Sequence, residues 1–131
     1  MSPAFAPVSF YQLASDLHAA SGGDDAQRRS AMSRAYYAAF LVARDAKQLS
    51  SRGADGHKAV IERYEAGSAQ DMTVANHLQS LKKLRVKADY LVHETCSQRD
   101  CGTALKTAQK ILIALGALPS QPPTPPPTTT P

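Results

Sequence analysis

The stretch DDAQRRSAMSRAYYAAFLVARDAKQL, residues 24–49, decides the fold. Within it Ala31, Ala35, Ala38, Val42, Ala46 and Leu49 recur at three- and four-residue intervals, the period of one helix face and not of a strand. Asp24 stands just before the run, where a short carboxylate can accept from backbone N–H groups that lack a helical partner. It therefore reads as the N-cap. The many alanines leave little bulk on this face, so a neighbouring helix can approach closely.

The flanking sequence punctuates into further helices. Ser9–Ser21 carries Phe10, Leu13, Leu17 and Ala20 and is stopped by Gly22 and Gly23. Beyond the central helix, Ser50–Gly56 reads as a loop and His57–Ala66 as a short helix with Val60, Ile61 and Tyr64, ended by Gly67. Ser68 followed by Asp71 has capping-box spacing and opens a helix to about His93. Ser97 and Asp100 repeat the device for a last helix to about Leu118, with Leu105, Ala108, Leu112 and Leu115 inward and Gly102 a weak point. Strand-like alternation and internal repeats are absent from the sequence. The expected class is all-α: an antiparallel up-and-down bundle of four main helices plus one short helix.

Seven of the nine prolines fall between Pro119 and Pro131, among Thr, Ser and Gln and without charge. Such a segment cannot pack, so the chain divides into a bundle over residues 1–118 and a disordered or polyproline-II tail over 119–131. With 131 residues, 43% of them hydrophobic and 20% charged, the chain is sized for one packed core. The formal charge of +4 is compatible with a nucleic acid partner without specifying one. No apolar run reaches the roughly 18 residues of a membrane span, and the first residues lack the basic start of a signal peptide. Two cysteines are too few for a disulfide framework. The expectation is a soluble cytoplasmic protein with no membrane partner. His93, Cys96 and Cys101 offer three metal ligands at most, in a spacing that matches no ordinary zinc module, so neither metal nor cofactor is expected.

One residue breaks the pattern of the fourth helix. Val74, Leu78, Leu81, Ala88 and Val92 form an apolar stripe, and Arg85 lies in its middle. A guanidinium there is costly unless it is paired or lines a cleft. Asp89, four residues on, answers as a structural ion-pair partner. Alternatively, Arg85, Asp89 and His93 rise along one helix edge at i, i+4 and i+8, bordered by Lys82. A permanent cation, an acid and a group titrating near neutrality can hold a phosphate and move a proton. Arg28, Arg29, Arg34 and Arg44, with Lys82, Lys83 and Lys87, form either a phosphate-attracting surface or a solvated face. Tyr36 with Phe40 reads as packing.

Two segments, Ser33-Arg34-Ala35-Tyr36-Tyr37-Ala38-Ala39-Phe40 and Arg85-Val86-Lys87-Ala88-Asp89-Tyr90, with Gly56-His57-Lys58-Ala59-Val60 between them, carry a resemblance to a known family. They resemble small stand-alone HEPN-domain proteins of prokaryotes, over roughly residues 9–116. The resemblance implies a homodimer with its cleft where two protomers meet, and RNA or a nucleotide as ligand. It also implies either a metal-independent endoribonuclease of a toxin–antitoxin or defence system, or a catalytically silent module that partners a minimal nucleotidyltransferase. The family's signature is Arg, four to six residues, then His; here seven residues separate Arg85 from His93, and Tyr90 stands five after Arg85. Carried over, Arg85 would stabilise charge on a phosphate, His93 would act as general base toward a ribose 2′-hydroxyl, and Asp89 would orient them. Lys82, Arg85, Lys87, Tyr90 and Arg34 would contact RNA or nucleotide. On an ideal helix Tyr90 points about 140° away from Arg85, outside a cleft of its own chain.

Overall fold

A computed structural model describes residues 6–49 and 56–119. Five helices run through them: α1 (Ser9–Ala20), α2 (Asp25–Ala46), α3 (Gly56–Glu65), α4 (Ala69–Tyr90) and α5 (Gln98–Ala114). There is no strand among the described residues. Residues 50–55 of the expected Ser50–Gly56 loop, the tail beyond Pro119 and the first five residues lie outside them, and Gly56 opens α3 instead of closing the loop.

Local chemistry starts the helices where the sequence places them. Asp24 accepts from the N–H of Ala26 at 2.9 Å and of Gln27 at 3.3 Å. Ser68 and Asp71 form a reciprocal capping box at α4, and Ser97 and Asp100 form another at α5. Each such cap contributes about 1 kcal/mol. The α5 helix stops at Ala114 rather than near Leu118, because Gly116 takes φ +76. The N–H of Ala117 then bonds Leu112 O at 2.8 Å and that of Gly116 bonds Ile113 O at 3.0 Å, a Schellman ending.

The α2 helix is the centre of the bundle. It packs on α1, α4 and α5, and more lightly on α3. Its first turn meets the end of α4 and the start of α5: Arg29 donates to Ala88 O at 3.0 Å and Arg28 to Cys96 O at 2.6 Å. The side chain of Gln70, in the first turn of α4, donates to Ala114 O at the end of α5 at 3.2 Å. So α4 runs antiparallel to both α2 and α5, with α3 packed mainly on α4 and only lightly on α2. Because neighbours surround it, α2 buries Ala31, Met32, Ala35, Tyr36, Ala38, Ala39, Phe40 and Ala43, a wider arc than the expected stripe. Ala46, expected inward, is exposed at the helix end. Three more inward expectations move: Leu13 is 44% exposed, Val92 72%, and Ala20 is exposed at the end of α1. Ala14 takes the buried position of α1, one step around the helix, and Val92 lies beyond the end of α4. No helix among the described residues is long and apolar enough to cross a membrane.

Candidate functional site

The antiparallel pairing of α2 and α4 sets Arg85 opposite Ser33, Tyr36 and Tyr37. Its Nε lies 2.9 Å from Asp89 Oδ2, and its Nη2 donates to Tyr37 Oη at 2.8 Å. The guanidinium carbon is 5.8, 5.3 and 5.3 Å from the ring centres of Tyr36, Tyr37 and Tyr90. Only 15% of the Arg85 side chain is exposed, against 27% for Asp89. Ion pair, hydroxyl and aromatic faces together answer the cost of a cation among apolar residues. Burial works against the Arg85 charge, but Tyr37, Asp89 and the other tyrosines outweigh it and raise its pKa. Tyr90 does share this cluster, contrary to the wheel: as the last residue of α4 it turns a long side chain back over the preceding turns.

A histidine given no functional role by the sequence reading completes the cluster. His57, in the first turn of α3, places Nδ1 2.6 Å from Tyr36 Oη, and its ring stacks on Phe40 at 4.1 Å and 5°. Tyr37 meets the same ring edge-on at 6.0 Å. The signal was present: His57, Val60, Ile61 and Tyr64 share one helix face at i, i+3, i+4 and i+7. Burial lowers the pKa of His57, and the charges of Arg85 and Lys82 lower it further. Burial also lowers that of His77, with Lys110 assisting. Both histidines are therefore held neutral in the fold, and the unfolded chain binds their protons first. The stability they contribute is complete above about pH 6.5 and is lost as pH falls toward their folded values. Urea midpoints should be level from pH 8 to 7, decline below about 6.5, and decline less in His57→Phe. A wild-type midpoint that stays level down to pH 5 would contradict this.

The remaining expected residues do not gather here. His93 is exposed in the turn after α4, so the i, i+4, i+8 ladder ends at Asp89. Arg29 is the physical reason. Its guanidinium takes Lys87 O at 3.1 Å, Ala88 O at 3.0 Å, and the carbonyls of Leu91 and Glu94, which closes the helix. Arg28 is 8% exposed and donates to Cys96 O and to Gly22 O at 2.8 Å. These two arginines tie the bundle together and leave the expected basic surface. Lys87 pairs with Asp100 on α5 at 2.9 Å and belongs to that junction. Arg34 is exposed, with its guanidinium 5.1 Å over Phe10. Lys82 lines a groove of about 510 Å³ between α3 and α4, with Lys58, Glu62 and Ile61. Cys96 and Cys101 are buried free thiols, and no cluster among the described residues could hold a metal ion.

A second groove, about 360 Å³, lies where the start of α2 meets the end of α4. Ser30, Ser33, Arg34 and Asp89 line it over a floor that includes Ala26 and Ala88. Ser33 Oγ donates to Asp89 Oδ2 at 3.3 Å, so the groove is continuous with the Arg85 cluster through that carboxylate. The chemistry available is anion binding by fixed donors beside aromatic faces. Comparison with protein-family models, curated proteins and solved structures finds no match.

Proposed function

We propose that this chain is a HEPN-type cytoplasmic protein that binds RNA or a nucleotide, as a homodimer, along the edge shared by α2 and the end of α4. One observation supports it above others: Tyr90, 63% exposed, lies over the fixed Arg85 guanidinium beside a polar groove. An exposed ring offers a stacking platform for a base, and guanidinium and hydroxyl groups meet phosphate. Arg34 adds charge to the groove on that edge, and Lys82 stands apart in the groove between α3 and α4. Binding is favoured over metal-independent cleavage, because His93 stands in a turn beyond the helix and His57 Nδ1 is engaged by Tyr36. Arg85→Ala should weaken binding of single-stranded RNA in EDTA about tenfold and flatten its salt dependence by about one phosphate contact. Fluorescence anisotropy reads the affinity, and circular dichroism checks that the helices persist. An unchanged affinity removes this edge from the reading.

A second reading has its own support. Tyr90, Leu91 and Val92 are consecutive and exposed by 63%, 41% and 72%, an apolar corner suited to a protein partner such as a nucleotidyltransferase. Under that reading purified protein binds no RNA at any concentration, and Val92→Asp abolishes capture of the partner.

A further inference from the structure

We infer that Asp89 occupies an anion-binding position of its own chain, which the phosphate group of the ligand takes over on binding. The inference rests on the reading above and specifies what the α2–α4 edge holds. A cation and a donor from two helices meet at one oxygen: Arg85 Nε lies 2.9 Å from Asp89 Oδ2 as an ion pair, and Ser33 Oγ donates to the same atom at 3.3 Å. Donors so placed suit a phosphate oxygen as well as a carboxylate.

The carboxylate is an imperfect occupant. Arg85 Nε is buried and lacks a well-directed hydrogen bond, although its ion-pair partner is close. A buried donor left in this state is unfavourable, and a phosphate, with more oxygens and tetrahedral geometry, can complete it. Asp89 is also the penultimate residue of α4, an end where the helix dipole disfavours an acid. The helix dipole therefore does not account for its presence.

The exchange requires little movement. Arg85 is fixed by the Tyr37 hydroxyl and three rings, whereas the Asp89 side chain is the more exposed member of the pair and lines the groove. A carboxylate that swings toward solvent leaves the donors in place for a phosphate bound in the groove. While it stays, it repels that phosphate and neutralises Arg85.

The full chain and its Asp89→Asn variant are titrated against a single-stranded RNA oligonucleotide, AMP and inorganic phosphate. Asp89→Asn should bind about tenfold more tightly than wild type, and Arg85→Ala in the same chain should abolish the gain. Tightening for AMP as well as RNA identifies a single phosphate group as the ligand; tightening for RNA alone identifies the polymer backbone. Thermal unfolding checks the fold, and Asp89→Ser, expected to shift affinity in the same direction, serves if the amide variant does not fold. Wild-type binding that Arg85→Ala removes but Asp89→Asn leaves equal or weaker overturns the inference and spares the binding reading. Absence of binding by both wild type and Asp89→Asn overturns the two together.

Discussion

Replacing Arg29 by Ala should lower the free energy of unfolding by about 3 kcal/mol, a large effect for one residue at a helix junction. At the end of α4 Arg29 donates to Ala88 O and to Lys87 O, which also accepts from Leu91 N at 3.2 Å, and beyond the helix to the carbonyls of Leu91 and Glu94. Its Nε also pairs with Asp25 Oδ2 at 2.5 Å, while Asp25 Oδ1 accepts from Cys96 N at 3.1 Å. One guanidinium thus joins the start of α2 to the α4–α5 connection. Only 15% of that side chain is exposed, so water restores part of what the deletion removes but not the fork geometry. Arg29→Lys should recover a minor share, because an ammonium cannot span the same acceptors. Chemical denaturation gives the magnitude, and amide exchange in the last turn of α4 locates it. A loss below about 0.5 kcal/mol would show that solvent serves these carbonyls equally well.

The pattern of what the sequence disclosed follows the range of the interactions. All three side-chain caps, at Asp24, Ser68 and Ser97, stand where they were read, because capping joins residues two or three apart. The Arg85–Asp89 pair was legible for the same reason, being one helical turn. Sequence alone puts Arg28 and Arg29 on a basic surface, yet their acceptors at Gly22, Cys96 and the end of α4 are set by the tertiary fold. The end of α4 was misplaced for that same cause: periodicity runs on through Val92, and the group that stops the helix comes from α2. The partners of Arg85 on α2, and the seat of His57 against Tyr36, depend on how three helices meet. An inward-facing histidine was visible on the wheel, but its partner was not.

His57→Ala should be as damaging as loss of Arg29, about 3 kcal/mol, for a different reason. Tyr36 is fully buried, and the His57 ring is the partner of its hydroxyl at 2.6 Å. Truncation strands that hydroxyl and opens a void against Phe40, where the rings had been parallel at 4.1 Å. The two costs separate by substitution. His57→Phe keeps the stack and strands only the hydroxyl, so roughly half the loss should remain. Adding Tyr36→Phe then removes the stranded group, and the double variant should approach wild type more closely than His57→Phe does. If the double variant is instead the sum of two losses, the Tyr36–His57 contact is not a coupled pair. Because both changes preserve the ring beneath Arg85, RNA affinity should stay near wild type while stability varies. That result would assign His57 to holding the aromatic floor of the site rather than to proton transfer at a ligand, whereas an affinity that fell with each imidazole substitution would place the ring itself in contact with RNA.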